Sequence, residues 1–170
     1  MGCGKIDKVE GKHDHDCICE VVRYIKRVQD LSDNNDDCNE CGNDCFMAPL
    51  GSVSPSRANV NTRAFMLVDK HGKPFKALYK RAFGPGCHYG ESVFFRVQSI
   101  FDGCCATLQV LEPRNGNDPV DLFDCDGNLI VGNLCNIDRF RRTETCITVD
   151  LDCFCGIQCF LDTFVDLCPN

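Results

Sequence analysis

The chain has 170 residues, 16 of them Cys, and a net charge of −7 from 25 acidic and 18 basic side chains. A chain of this length fits one domain and buries about two thirds of its surface without covalent help, so folding does not require disulfides. Basic residues form no stripe, which excludes the electrostatic footprint of a nucleic-acid binder, and no apolar run has the length of a signal-peptide core or a membrane span.

These exclusions leave the thiols unexplained. Cys makes up about 9 per cent of the residues, close to the density of a short secreted disulfide scaffold. The expected place of synthesis is a cytosol, where thiols stay reduced. Such a chain binds metal, does redox chemistry, or is oxidised later when its surroundings change. The 12 Phe, against 3 Tyr and no Trp, read as core filling rather than as a platform for sugars or bases.

Residues 1–16 are polar, Gly-rich and charged, the composition of a flexible arm. From Cys17 the pattern changes: Ile18, Val21, Val22, Ile25 and Val28 recur at helical spacing, with Glu20, Arg23, Lys26 and Arg27 opposite. This predicts an amphipathic helix over 17–31, with Asp16 as its N-cap. Residues 32–62 form a Cys/Asn/Asp-rich loop and connector that carries Cys38, Cys41 and Cys45.

A β domain is expected over 63–160. Arg63 to Val68 and Phe75 to Tyr79 flank Asp69-Lys70-His71-Gly72-Lys73, a hairpin in which Gly72 takes the left-handed position, Leu67 faces Phe75 and Phe65 faces Ala77. A second hairpin turns at Asp102-Gly103 and pairs Phe101 with Cys104, Ser99 with Ala106, Val97 with Leu108 and Phe95 with Val110. Its core face and its mostly polar face then separate cleanly. Another turn falls at Asp126-Gly127, before Leu129 to Val131. Residues 161–170 form a C-terminal tail.

The domain is organised around Thr145 to Phe160. Ile147, Val149, Leu151, Cys153, Cys155, Ile157 and Cys159 alternate with more polar neighbours, which predicts a half-buried strand with Cys153, Cys155 and Cys159 on its inner face and a bend near Phe154-Cys155-Gly156. On that face Cys153 and Cys155 stand about 7 Å apart, near the outer limit for a disulfide. The fold class is therefore mainly β: an antiparallel β-sandwich or jelly-roll-like domain preceded by one amphipathic N-terminal helix.

Weighed one by one, the chemical motifs give neither a catalytic centre nor a cofactor. Cys38, Cys41 and Cys45, with Cys17, Cys19, His13 or His15, hold enough ligands for zinc but lack a convincing second pair. A Cys-rich zinc-binding structural or storage module is the alternative reading. Cys104 and Cys105 point to opposite faces of a strand, so they are not a redox pair, and His88 beside Cys87 is a poor base for a catalytic thiol. Asp124-Cys125-Asp126-Gly127 fails the calcium-loop pattern and is a turn. Cys3, Cys17, Cys19, Cys38, Cys41, Cys45, Cys87 and Cys168 lie on arm, loops and tail, within reach of another chain. Exposed thiols in such number suit a protein linked to its neighbours.

Cys41 to Gly51 (CGNDCFMAPLG), Glu91 to Leu111 (ESVFFRVQSIFDGCCATLQVL) and Thr145 to Phe160 (TCITVDLDCFCGIQCF) resemble the spore coat protein Y and Z family of endospore-forming bacteria. Cys104, Cys105, Cys146, Cys153, Cys155 and Cys159 lie within these blocks. The resemblance implies a non-enzymatic structural protein of the outer coat or exosporium basal layer. It would be made in the mother-cell cytoplasm without a signal sequence and deposited on the spore surface. Its implied partners are copies of itself in a two-dimensional, often hexagonal, lattice welded by disulfides, together with other coat or exosporium proteins. Oxidation would follow when the mother cell lyses.

Overall fold

A computed structural model describes residues 17–33, 60–81 and 89–167. It is mainly antiparallel β with one N-terminal helix, as the patterning predicts. In chain order the elements are α1 (Cys17–Asp33), β1 (Thr62–Val68), β2 (Ala77–Lys80), β3 (Tyr89–Ser92), β4 (Phe95–Ile100), β5 (Cys105–Asn115), β6 (Asp118–Pro119), α2 (Val131–Leu134), β7 (Arg139–Asp150) and β8 (Gly156–Thr163). Short 3-10 turns occupy Asp102–Cys104 and Leu151–Cys153.

The main sheet runs β7-β5-β4-β1-β8, with β6 continuing one side of β5. Consecutive strands β7 and β8 thus lie at opposite edges. Four inter-strand gaps would span about 19 Å in a flat sheet. The link from Asp150 to Gly156 contains a 3-10 turn that shortens its reach, so the sheet curls to bring its edges together.

Both sheet faces are covered. On one, α1 inserts Cys19, Val22 and Ile25 against Phe65, Leu67, Phe95, Val97, Leu108 and Leu151. Gln29 reaches further in, its side-chain amide donating to the Val97 carbonyl at 3.0 Å. On the other face Phe94 packs against Phe140 and Phe160, with ring centroids 4.9 and 4.8 Å away. A bulge in β8 opposite Ala64 and Phe65 turns Phe160 and Leu161 towards this second core.

The hairpin predictions hold in part. Phe95 pairs with Val110 and Val97 with Leu108, but a bulge at Gln98 shifts the rest, so Ser99 faces Thr107 and Ile100 faces Ala106. The cause lies at the tip, where Gly103 and Cys104 are both left-handed (φ 76° and 62°) and make the turn one residue longer than Asp102-Gly103 alone. The first hairpin forms its turn, with Gly72 at φ 75° and the Phe75 amide donating to the Leu67 carbonyl. Phe65 does not face Ala77, however. Phe65 pairs with Phe95 and Cys159, while β2 peels away to pair with β3. There the Tyr79 ring lies so close over Gly90 that a Cβ would meet it at 2.5 Å.

The long Thr145–Phe160 strand is also corrected. It breaks after Asp150, whose side chain accepts the Asp152 amide at 3.0 Å and starts the 3-10 turn. Leu129 forms only an isolated bridge with Phe123, and Val131 begins α2.

Candidate cross-linking site

The cysteines fall into two environments. Cys19 lies on the buried stripe of α1, with Val22 and Ile25 three and six residues on, and is 1% exposed. Cys104, held left-handed at the hairpin tip, turns inward beneath that helix. The two form a disulfide with Cα atoms 5.6 Å apart across 85 residues of sequence. Cys19 is therefore not a reachable intermolecular linker, because helical periodicity aims it at the core. Cys104 does face the core as expected, and Cys105 turns the other way and is half-buried.

Around the break between β7 and β8 the opposite holds. Cys146, Cys153, Cys155 and Cys159 are all exposed, which corrects the inner-face placement of Cys153, Cys155 and Cys159. Cys153 ends the 3-10 turn outside the strand alternation. Cys159 belongs to β8, an edge strand that among the described residues has a neighbouring strand on one flank only, and Cys155 stands in the bend directly before it. Cys17 is exposed at the start of α1. Cys3, Cys38, Cys41, Cys45, Cys87 and Cys168, with the Asp16 cap and His13, His15 and His88, lie outside the described residues.

Two exposed thiols escaped the sequence reading, Cys125 and Cys135. Cys125 could have been found from its turn. Asp124 accepts the amides of Asp126 and Asn128 while Gly127 sits at φ 79°, which repeats the Asp69 turn, where amides of His71 and Lys73 bond the carboxylate and Gly72 is left-handed. Both carboxyls are held below the ordinary carboxylate range, chiefly by these backbone amides. A residue inside such a turn has nothing to pack against. Cys135 follows the single turn of α2 and carries no comparable signal.

Partial burial against the sheet pushes the Cys146 thiol up, opposed by Arg142. It pushes Cys159 up as well, opposed by Arg63 and aided by Asp162. Arg63 and Asp162 pair across β1 and β8 through two bonds of 2.7 and 2.6 Å. That pair lets Asp162 stand on an edge strand without being an unpaired charge. No grouping of three or more His, Cys, Asp or Glu placed to hold a metal occurs among the described residues, and no helix there is long and apolar enough to cross a membrane.

A family model described as spore coat protein Z matches residues 1–162, a span that includes the buried bridge and all four thiols around the β7–β8 break. Spore coat protein Z of Bacillus subtilis (strain 168) is 31% identical over 144 residues, covering 84% of this chain and 87% of that protein. No solved structure matches the chain. Matched over most of its length by both comparisons, the chain belongs to the spore coat protein Z family.

Proposed function

We propose that this protein is a self-assembling shell subunit of the endospore surface, in the outer coat or the exosporium basal layer, that builds a two-dimensional lattice of hexagonal symmetry and is welded into it by intermolecular disulfides. Family membership gives it a structural role at the spore surface. The observation that carries the finer reading is the division of the thiols. Cys19 and Cys104 are sealed inside, while Cys17, Cys125, Cys135, Cys146, Cys155 and Cys159 stand exposed and unbridged. Thiols that merely filled a core would be buried, as free Cys commonly is.

Non-covalent contacts order the array reversibly. Each later cross-link removes a route of dissociation and converts equilibrium stability into kinetic resistance. A heterologous contact that closes into rings, repeated through a second contact, generates a sheet. Synthesis in the mother cell and oxidation after lysis set the order of these steps. The partners are other copies of the chain and other proteins of the same layer. Electron microscopy of the purified protein, followed by gels with and without reductant, tests the reading. Regular sheets that resist boiling in detergent until reductant is added are expected. An oxidised protein that stays monomeric, with every bridge internal, overturns it.

A further inference from the structure

Strand β8 pairs with β1 alone among the described residues, so its other side presents unpaired backbone donors and acceptors. Proteins usually blunt such an edge with Lys, Pro or an unpaired inward charge. β8 has neither Lys nor Pro, and its one charge, Asp162, is held by Arg63. The stretch before its bulge keeps regular register with β1: Gly156 opposite Val68, Ile157 opposite Leu67, Gln158 opposite Met66 and Cys159 opposite Phe65. The Cys155 amide also bonds the Val68 carbonyl at 2.9 Å. The pairing-competent edge is thus Gly156-Ile157-Gln158-Cys159, entered through Cys155, and the two exposed, unbridged thiols, Cys155 and Cys159, lie two residues to either side of Ile157.

We propose that this edge pairs antiparallel with the same edge of a second copy about a two-fold axis at Ile157, and that two disulfides, each joining Cys155 of one copy to Cys159 of the other, then lock the pair. The assignment rests on the shell reading and names one of its contacts. Antiparallel pairing about Ile157 sets Cys155 opposite Cys159 of the partner subunit, Gly156 opposite Gln158 of the partner subunit, and Ile157 opposite its own equivalent. Directly opposed Cα atoms in such a ladder are about 4.5–5.5 Å apart, inside the range a disulfide spans. Within one chain the same two thiols are four residues apart on an extended strand, about 13 Å, too far to bridge. By strand alternation Ile157 and Cys159 share one face, Cys155 stands at the bend directly before Gly156, and a two-fold perpendicular to the sheet keeps the equivalent faces of both copies on the same side. In each bridge two thiols give up two electrons and two protons to dioxygen, forming one S–S bond and one hydrogen peroxide.

The experiment is oxidation in air of the purified full chain, reduced beforehand, followed by digestion and mass spectrometry of linked peptides. It is run on the unaltered protein, on Cys155→Ser, on Cys159→Ser, and on the two variants mixed. The unaltered protein should yield the Cys155–Cys159 link between chains, shown by mixing isotopically heavy and light copies. Each variant alone should lose that link, because its remaining thiol faces Ser. The mixture should recover it as a single bridge. A link absent from the unaltered protein, confined within one chain, or not recovered in the mixture overturns the pairing. Sheets that form while this link is missing overturn the pairing and leave the shell reading standing. A bridged dimer that forms no sheet supports the pairing and removes the shell reading.

Discussion

The hairpin tip under α1 and the break between β7 and β8 hold the same chemical group in opposite states. At the tip, helical periodicity aims Cys19 inward and a left-handed backbone turns Cys104 to meet it, so both thiols vanish into a bridge. At the break, the Asp150 carboxylate ends one strand, the bend before the next leaves Cys155 in the open, and the edge position of that next strand does the same for Cys159. Local backbone geometry, not the residue type, decides whether a cysteine in this chain serves the fold or faces outward. The sharpest way to break the comparison is to remove one sulfur from each region.

Cys104→Ser or Cys19→Ser should destabilise the protein by about 2–5 kcal/mol, the usual cost of losing a native disulfide that closes a long loop. Urea unfolding measures it. Adding reductant to the unaltered protein should give a comparable loss, and adding it to either variant should give none. If the unaltered protein is indifferent to reductant, the bridge does not hold α1 to the sheet. Gly103→Ala attacks the same region through its backbone. The added Cβ meets nothing within 4 Å, so its cost is that of the φ of +76°, about 1–2 kcal/mol. At the break, Cys155→Ser and Cys159→Ser should change monomer stability by no more than about 0.5 kcal/mol, as exposed substitutions do. A much larger loss there would mean that these thiols belong to the fold after all.

The legibility of this fold in the sequence follows the same division. The 3.6-residue period of α1 and the alternation along β4 and β5 are legible because burial on one face imposes them, and Val97 and Phe95 duly meet Leu108 and Val110. Register near the tip is not legible, because it depends on Cys104, a non-glycine residue, adopting a positive φ. Alternation also runs straight through Asp150 in the sequence, since Ile147, Val149, Leu151, Cys153, Cys155 and Ile157 keep the period of two across the turn. An apolar partner every second residue does not distinguish one long central strand from two edge strands joined by a turn. Only the pairing partners do, and Phe65 proved to have Cys159 on one side and Phe95 on the other, not Ala77. The Cys19–Cys104 pairing was beyond reach, because 16 thiols allow too many connectivities and the two lie 85 residues apart.

The gentlest probe of the comparison leaves the chain intact and varies only pH. Burial raises the Cys159 and Cys146 thiols above the ordinary value, about 8.5 for a free cysteine. The thiolate is the reacting species, so at neutral pH these two should alkylate more slowly than a free cysteine, and their rates should climb about tenfold per pH unit past 8.5 before levelling. Folding disfavours the thiolate at both sites. The folded state therefore keeps its proton where the unfolded chain loses it, and stability should fall slightly as pH rises from the ordinary thiol value to the raised one. Cys19 and Cys104 should remain silent to the reagent throughout, until reductant opens their bridge. Site-resolved mass spectrometry of the alkylated peptides separates the two regions. Early plateaus at Cys146 and Cys159 would show that the sheet does not shield them. Slow thiols at neutral pH also suit the proposed assembly, in which a subunit finds its place in a reversible array before dioxygen fixes it there.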